Sequence, residues 1–441
     1  MAPDDTCLSS PARQQAVRRI AIISEHASPL AQPGSIDCGG QNVYVACLAR
    51  ELARAGHHVD IFTRRDAIGQ RQLVQWSENV RVIHVPAGPP HHVPKEQMLP
   101  CIDAFARFVT RFARRQPARY DIVHANFFMS GMIASHLKRT LGIPFVITFH
   151  ALGHVRRLAQ GAADTFPPAR LRIEAALMRE ADRIIAECPQ DRHDMVRLYG
   201  APPARIAVAP CGFDPGELWP VPVALARRQL GLAPGKFILL QLGRMVPRKG
   251  IDTVIEALAI LRARHAVDAQ LLVVGGEAQQ RADTVAPELA RLRALADTLG
   301  VADHVLFTGR RERSELRYYY GAADVFVTTP WYEPFGITPV EAMACARPVI
   351  GADVGGIKST VVDGETGFLV PPRDPQSVAQ RLAALHADPA LAVGMGEQGL
   401  RRAYRFYTWR MVAEQAVAIY AAALADAASA AVTHSPILEQ P

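Results

Sequence analysis

The chain has 441 residues, of which 49% are apolar and 21% charged, a composition typical of a folded globular protein. This length exceeds what a single core usually holds, so it predicts two domains. No apolar run reaches the roughly 18–20 residues that span a membrane, and the polar residues 1–16 lack the order of a signal peptide. The net charge of +7 is spread along the chain, which suits anionic substrates but singles out neither nucleic acid nor a membrane.

Seven cysteines and fifteen histidines are scattered along the chain, with no CxxC, no HExxH and no other metal-ligand spacing. An odd, dispersed set of cysteines is typical of reduced thiols, so we expect a cytoplasmic protein. The same scatter leads us to expect no protein-bound metal.

The first half of the chain alternates short apolar runs with stretches of helical spacing. Residues 18–24 read as a parallel strand that is covered on both faces, and further runs follow at 59–63, 80–85, 121–124 and 145–149. This alternation predicts a doubly wound sheet.

A glycine pair, Gly39 and Gly40, precedes the first helical stretch. Bare backbone at a helix N-terminus can approach a phosphate, although an isolated glycine pair is more often a plain loop. The pattern is not the GxGxxG of dinucleotide-binding enzymes, which argues against an NAD-linked dehydrogenase.

Three histidines stand in loops of this half. His150 follows the strand predicted at 145–149, and open α/β sheets bind their ligands at that edge. A lone histidine there is equally typical of a hydrogen-bonded loop. His26 and His154 are interpreted as structural or peripheral loop residues.

Prolines cluster between the two halves and predict a domain boundary near residues 213–230. The second series opens with a strand at 237–242, after which Gly243 begins a turn that carries Arg244 and Lys249. Two cations over such a turn would neutralise a diphosphate as its charge develops. The alternative is a solvated basic loop.

The most informative stretch reads TPWYEPFGITPVEAMACARPVI. Glu333 is predicted on the loop after a strand, and Glu341 about one turn into a helix at 337–345. Gly336 lets backbone amides at that helix N-terminus hold an anion. The carboxylates would bind hydroxyls and the amides a diphosphate, as a sugar nucleotide requires. An isolated pair of glutamates would more often be a loop acid and a solvated helix acid.

EPFGITPVEA resembles the E-x7-E signature of the retaining family-4 glycosyltransferases, and GGQNVYV and GRMVPRKG resemble that family's glycine loop and diphosphate turn. The resemblance covers nearly the whole chain and is nearest to the sucrose-phosphate synthases and the inositol-phosphate N-acetylglucosaminyltransferases. It implies an α/β protein with the GT-B fold, in which two doubly wound Rossmann-like domains face each other across a cleft and a C-terminal helix crosses back to the first domain. The expected division is a flexible N-terminus at 1–16, an acceptor-side domain at 17–215, a linker at 216–230, a nucleotide-sugar-binding domain at 231–400, a bracing helix at 401–424 and a disordered tail at 425–441.

The resemblance also implies a set of site residues. The catalytic set, which positions the donor sugar and stabilises charge, is His150, Glu333, Arg244 and Lys249. The donor-binding set, in which the last residue holds the ribose hydroxyls, is Gly39, Gly40, Gly243, Gly336, Ile337, Thr338 and Glu341. The acceptor-binding set is Asn42, Lys95 and Arg170. Phe127 and Ala151 stand where the inositol-phosphate enzymes place phosphate-binding hydroxyls, which disfavours inositol phosphate itself.

The function implied is a retaining hexosyltransferase that moves a hexose from a nucleotide diphosphate sugar, UDP-glucose first, to a hydroxyl of a small acceptor that can carry a phosphate. The departing phosphate would take the acceptor proton, and no metal or other cofactor is expected. One alternative is transfer from GDP-mannose or UDP-N-acetylglucosamine to a lipid or glycan, and another is a sugar-nucleotide binding protein without catalysis. No nucleic-acid partner is expected, because the aromatic patterns of RRM and OB domains are missing; peripheral membrane contact and the oligomeric state stay open.

Overall fold

The computed structural model describes residues 17–31, 39–276 and 287–433 and contains two β-sheets, one largely and one wholly parallel. The predicted flexible N-terminus at 1–16 lies outside the described residues. Each sheet has helices on both faces, so the predicted architecture of two Rossmann-like domains is confirmed.

The first sheet has eight strands in the spatial order β3-β4-β2-β1-β5-β6-β7-β8. Their bounds are β1 (Arg19–Ile23), β2 (His58–Arg64), β3 (Leu73–Ser77), β4 (Val80–Val85), β5 (Ile122–Asn126), β6 (Phe145–Thr148), β7 (Arg183–Ala186) and β8 (Ile206–Val208). The helices of this domain are α1 (Gly40–Arg54), α2 (Ile102–Arg114), α3 (Phe128–Leu141), α4 (Gly153–Gln160), α5 (Ala169–Glu180) and α6 (Pro189–Tyr199). All strand pairs are parallel except β3 with β4, which is antiparallel.

Strand β1 shows why the strands of this sheet are apolar without a break. Ile20 and Ile22 lie in the core on one face of the sheet, whereas Ala21 and Ile23 lie in the core on the other. Because successive side chains of a strand point to opposite faces, a sheet covered on both sides needs apolar residues at every position.

The second sheet has six parallel strands in the order β11-β10-β9-β12-β13-β14. Their bounds are β9 (Phe237–Leu242), β10 (Ala269–Val274), β11 (Val305–Gly309), β12 (Val325–Thr328), β13 (Val349–Ala352) and β14 (Gly367–Val370). The helices that follow the first domain are α7 (Val223–Leu230), α8 (Ile251–His265), α9 (Pro287–Thr298), α10 (Arg313–Ala322), α11 (Ile337–Ala344), α12 (Ile357–Thr360), α13 (Pro375–Ala387), α14 (Pro389–Phe406) and α15 (Trp409–Thr433). Helix α7 falls within the predicted linker, where Ala226 is buried against Val221 and Ala322.

The C-terminal helix returns to the first domain, as predicted. The crossing is fixed by two backbone bonds, from the Phe213 amide to the Tyr407 carbonyl (2.8 Å) and from the Trp409 amide to the Phe213 carbonyl (3.1 Å). Beyond it, α15 packs along α1 and buries Val412, Ala416 and Tyr420 in the core of the first domain.

The predicted start of a disordered tail at residue 425 is wrong for residues 425–433, because α15 continues to Thr433. The alanines there are the best helix formers and extend the helix; the rest of the predicted tail, residues 434–441, lies outside the described residues. In the described part of the chain, α15 is also the one helix with the length and mean hydropathy (1.3 over Trp409–Ser429) to cross a membrane. Arg410 and Glu414 interrupt its apolar run, which explains why a search for unbroken apolar sequence passes over it.

Candidate active site

The two sheets place the ends of their strands around one cavity of about 930 Å³. Strand order reverses beside β1 in the first sheet and beside β9 in the second, and such reversals open a crevice at the carboxyl edge of a parallel sheet. Among the described residues, every predicted site residue except Glu341 lines this cavity. Its lining carries nine arginines and two lysines against three acids, Glu187, Glu217 and Glu333.

Glu333 lies at the centre of the cations on the second domain. Lys249 donates a hydrogen bond to Oε2 of Glu333, and Nη1 of Arg248 lies 3.7 Å from the same oxygen. Burial would raise the pKa of Glu333, but Lys249, Arg248 and Arg244 outweigh it and hold the pKa below its usual value. Burial lowers the pKa of Lys249, although Glu333 opposes that shift. This corner of the cavity therefore holds an ionised carboxylate among cations.

The loop that carries Glu333 depends on glycines that allow close backbone approach. Gly336 has φ +89° and is the N-cap of α11, whose first residues Ile337 and Thr338 line the cavity. On the other side, a Cβ added to Gly355 would lie 1.8 Å from the carbonyl oxygen of Glu333, so only glycine fits there. The free amides at the start of α11 thus face the cavity, as an anion site requires.

Glu341 lies about one turn into α11, as predicted, but it does not line the cavity. Its side chain is buried and lies outside the cavity lining, where it accepts hydrogen bonds from the Tyr320 hydroxyl (2.8 Å) and from Nη2 of Arg313 (3.3 Å). Arg313 does line the cavity and also donates to Glu217 (2.7 Å). Burial would lower the pKa of Arg313, yet Glu341 and Glu217 raise it. Arg313 therefore lies between Glu341 and the cavity.

His150 lies at the carboxyl end of β6 with φ +58°, a strained value for a residue other than glycine. Its Nδ1 is 2.9 Å from Oε1 of Glu187, and its Nε2 is 2.9 Å from Oδ1 of Asn126. Both ring nitrogens therefore have protein partners. A donor sugar would contact the ring edge or the backbone of His150. Contact with a ring nitrogen would require one of these two hydrogen bonds to break.

The glycine pair meets the second domain at Arg244. A Cβ added to Gly39 would lie 3.6 Å from Nε of Arg244, so this arginine reaches across the cleft to the start of α1. Asn42 lines the cavity, and its side chain also bonds the Gly39 amide (2.9 Å) and the Ser28 carbonyl (2.9 Å). It therefore fixes the loop that leads into α1.

Arg170 forms a buried cationic site on the first domain. The guanidinium carbon lies 4.9 Å from the ring centre of Phe127, 5.1 Å from Phe128 and 4.4 Å from Phe166. Nε donates to Glu174 (2.7 Å) and Nη2 to the Ala151 carbonyl, whereas Nη1 is buried without a hydrogen-bond partner among the described residues. A buried donor without a partner is costly, and the residue that carries it lines the cavity.

Sequence reasoning missed several cavity residues. Arg248 lies in the quoted PRKG turn but received no role, and Arg313 lies in RRER, directly after β11, at the edge where ligands bind. Glu187, which holds His150, follows β7 in the same way. Position after a strand of a parallel sheet was the signal that could have found all three.

No group of three or more histidine, cysteine, aspartate or glutamate side chains in the described ranges could hold a metal ion. The five cysteines within these ranges, Cys47, Cys101, Cys188, Cys211 and Cys345, are free thiols.

Comparison with known proteins agrees with this architecture. The model of glycosyl transferases group 1 matches residues 223–402, and that of glycosyltransferase family 4 matches residues 38–217. The chain is 36% identical over 411 residues to D-inositol 3-phosphate glycosyltransferase 2 of Catenulispora acidiphila, covering 93% of this chain and 96% of that protein. It is 38% identical over 422 residues to D-inositol 3-phosphate glycosyltransferase of Acidothermus cellulolyticus, covering 94% and 92%.

Among solved structures, sucrose-phosphate synthase from Thermosynechococcus elongatus superposes with a TM-score of 0.85 at 34% identity, covering 93% of this chain and 100% of that one. The two matched family models divide the chain at the same place as the two sheets. The chain therefore belongs to the family-4 glycosyltransferases of the GT-B fold, and the protein is an enzyme that transfers a sugar.

Proposed function

We propose that this enzyme transfers a hexose, with retention of configuration, from a nucleotide diphosphate sugar to a hydroxyl of a small phosphorylated acceptor. UDP-glucose is the first donor to test. The observation that carries the proposal is one cavity with cations on both walls, Arg244 and Lys249 from the second domain and Lys95 and Arg170 from the first. Two separate cationic walls fit two anions, a diphosphate donor and an acceptor phosphate.

The donor side supplies charge stabilisation. Arg244, Lys249 and the amides at the start of α11 surround a space in which a departing diphosphate would gain negative charge. Preorganised donors of this kind stabilise such charge without reorganisation. Retention follows from the family resemblance, in which the departing phosphate itself takes the acceptor proton, so the protein mainly orients the reactants.

The acceptor side favours a phosphate. Arg170 has a buried nitrogen without a partner among the described residues, and Lys95 lines the same cavity. Two relatives are named for inositol 3-phosphate and a similar structure is a sucrose-phosphate synthase, so phosphorylated substrates or products recur among them. Phe127 contributes a ring and no hydroxyl beside Arg170, which favours a sugar phosphate over inositol phosphate.

Labelled UDP-glucose, GDP-mannose and UDP-N-acetylglucosamine should each be assayed with fructose 6-phosphate, inositol 3-phosphate and the unphosphorylated forms. We expect transfer from UDP-glucose to a phosphorylated acceptor, an α-anomeric product by NMR, and loss of acceptor affinity in Lys95→Ala. Lys358→Ala is the matched control, since Lys358 is a second-domain lysine outside the cavity lining. Equal use of the free and phosphorylated acceptors, with Lys95→Ala unchanged, would exclude a phosphorylated acceptor. Binding of nucleotide without transfer to any acceptor would favour the non-catalytic alternative.

A further inference from the structure

His150 is the centre of a strained turn at the carboxyl end of β6. Its φ of +58° and the hydrogen bond from the Ala151 amide to the Phe149 carbonyl (2.7 Å) correspond to the rare form of γ-turn. The turn lies in the wall of the cavity, which His150 and Ala151 both line. Strained backbone persists only where the surrounding structure holds it, and the side chain of His150 supplies two anchors.

Both ring nitrogens of His150 face oxygen acceptors. Nδ1 lies 2.9 Å from Oε1 of Glu187, and Nε2 lies 2.9 Å from Oδ1 of Asn126. A carboxylate oxygen and an amide oxygen can only accept hydrogen bonds. A neutral imidazole carries a single proton, so either tautomer would set a bare nitrogen against one of these oxygens. The two partners together therefore require a doubly protonated ring.

The orientation of the Asn126 amide is fixed from its other side. Asn126 is fully buried, and its Nδ2 donates to the carbonyl oxygens of Ile23 and His124, each 3.4 Å away. A flipped amide would offer a donor to Nε2 of His150, but it would also set Oδ1 against two carbonyl oxygens. That exchange leaves buried groups unpaired, which is costly. The amide oxygen of Asn126 therefore points at His150.

The proton between His150 and Glu187 belongs to the ring. In water a carboxyl group is about a hundredfold more acidic than an imidazolium. The Glu187 carboxylate also accepts a hydrogen bond from the Cys211 thiol (3.2 Å), which favours its ionised form. The side chains of His150 and Glu187 are only 9% and 4% exposed, so this ion pair is largely shielded from water.

We propose that Glu187 and Asn126 are positioning residues of the transfer reaction: they hold His150 as an imidazolium clamped at both nitrogens, and the clamp keeps the γ-turn in shape beside the donor sugar. This inference rests on the proposed function, since it takes the turn as a donor contact. His150 is then no general base, because neither ring nitrogen is free to take a proton. Asn126 lies outside the cavity lining, so it acts on transfer through the ring that it holds.

Two substitutions at Asn126 isolate the acceptor that faces Nε2. Asn126→Asp keeps an oxygen there and Asn126→Leu removes it, whereas both remove the Nδ2 bonds alike. In transfer from UDP-glucose to fructose 6-phosphate or inositol 3-phosphate, Asn126→Leu should lower kcat at least about tenfold, the size of one lost charge-assisted hydrogen bond. Asn126→Asp should keep kcat within about threefold of the wild type. The KM of the acceptor and the affinity for UDP should stay within about threefold in both variants.

NMR of enzyme labelled with nitrogen-15 histidine reads the protonation of the ring without substrate. At pH 7.5 both nitrogens of His150 should carry protons in the wild type and in Asn126→Asp, but only one in Asn126→Leu. The resonances are assigned by their loss in His150→Gln. His124 is the matched control, because it is also buried but its partners are the hydroxyls of Tyr420 and Thr148, which can donate as well as accept. It should show one protonated and one bare nitrogen in all these proteins.

A bare nitrogen at His150 in the wild type overturns the inference, and this result does not depend on whether any variant folds. Turnover like that of the wild type in Asn126→Leu overturns it too. Equal loss of kcat in both Asn126 variants would assign the effect to the missing Nδ2 bonds, with the same consequence. A wild type that binds UDP but transfers glucose to no acceptor overturns the proposed function and the role in transfer, while the NMR measurement still decides whether the clamp exists.

Discussion

Lys249 and Glu333 show how single residues set the charge of the site. Burial lowers the pKa of Lys249, while the surrounding cations lower the pKa of Glu333 despite its burial. The carboxylate stays ionised and accepts a hydrogen bond from Lys249. A donor diphosphate would bring a second anion to the same cation, so Lys249 can stabilise charge that grows on the leaving group.

Lys249→Ala and Arg244→Ala should each lower kcat by roughly 10²–10³-fold, the usual cost of losing one preorganised charge contact. Steady-state transfer from UDP-glucose measures the effect, and melting curves check the fold. Arg262→Ala is the control, since Arg262 pairs with the exposed Asp268 outside the cavity lining. Turnover near that of the wild type in both cavity variants would show that these cations do not hold the leaving group.

Substitutions at Glu341 and Tyr320 test whether the second glutamate of the E-x7-E motif binds the ribose. The Tyr320 hydroxyl donates a hydrogen bond to one oxygen of Glu341, so a ribose hydroxyl would have to share that oxygen or displace the tyrosine hydroxyl. We expect Glu341→Ala to weaken UDP binding and to lower stability by about 1–3 kcal/mol, since it leaves buried donors unpaired. Tyr320→Phe frees the carboxylate and should keep UDP affinity. Calorimetry that finds UDP affinity unchanged in Glu341→Ala would assign Glu341 to support of Arg313 only.

At the scale of elements, the sequence pattern predicted those strands whose residue types follow from burial on both faces of a sheet. Strands covered on both faces are unbroken apolar runs, and the pattern predicted β1, β2, β4, β5, β6 and β9 in this way. β3 was not, because its residues alternate between exposed and half-buried and it pairs antiparallel at the sheet edge. Residues 425–433 were predicted as a disordered tail, although their alanines favour helix and continue α15.

Side-chain partners were the part of the site that the sequence could not provide. The motifs located the cavity, because strand ends and glycine turns can be recognised from the sequence alone. That Asn42 bonds its own loop, that Glu341 pairs with Arg313, and that Glu187 pairs with His150 are contacts of the folded chain. Such contacts depend on tertiary distance rather than on spacing along the chain.

The buried hydrogen bond between His124 and α15 predicts that acid lowers the stability of the fold. His124 is fully buried, with Nδ1 2.7 Å from the Tyr420 hydroxyl and Nε2 2.9 Å from that of Thr148. Burial, and to a smaller extent His150, lowers the pKa of His124 to about 3. Because an unfolded histidine titrates near 6.5, only the unfolded chain binds this proton between the two values. Stability is therefore lost as pH falls from about 6.5 towards 3, and this group has no effect above that range.

From pH 7.5 to 5, His124 should account for a loss of about 2 kcal/mol, at roughly 1.4 kcal/mol for each pH unit below 6.5. Urea unfolding at the two pH values, in the wild type and in His124→Gln, measures this loss. The variant should be less stable at pH 7.5 but should lose less on acidification. His58→Gln is the control, since His58 is an exposed residue of strand β2 in the same sheet. Equal losses in all three proteins would assign the acid sensitivity to carboxylates elsewhere.

At the scale of the whole molecule, direct contacts between the domains hold the two charged walls next to each other. Nε2 of Gln160, on the first domain, donates to the Tyr332 hydroxyl on the second (2.9 Å), and Sγ of Cys188 lies 3.3 Å from the Pro334 carbonyl. Both contacts flank the Glu333 loop. The nine arginines and two lysines that line the cavity therefore surround a substrate from both domains at once.

This cationic lining predicts that transfer does not require a divalent metal. In metal-dependent transfer the ion neutralises the developing diphosphate charge, and here Arg244, Lys249 and the α11 amides are placed to do so. Transfer from UDP-glucose should keep at least about half its rate in excess EDTA, by comparison with protein dialysed without chelator. A glycosyltransferase known to need manganese, assayed in the same buffer, verifies that chelation is complete. If EDTA abolished transfer here and magnesium or manganese restored it, the lining cations would be insufficient and a metal would have to enter with the donor diphosphate.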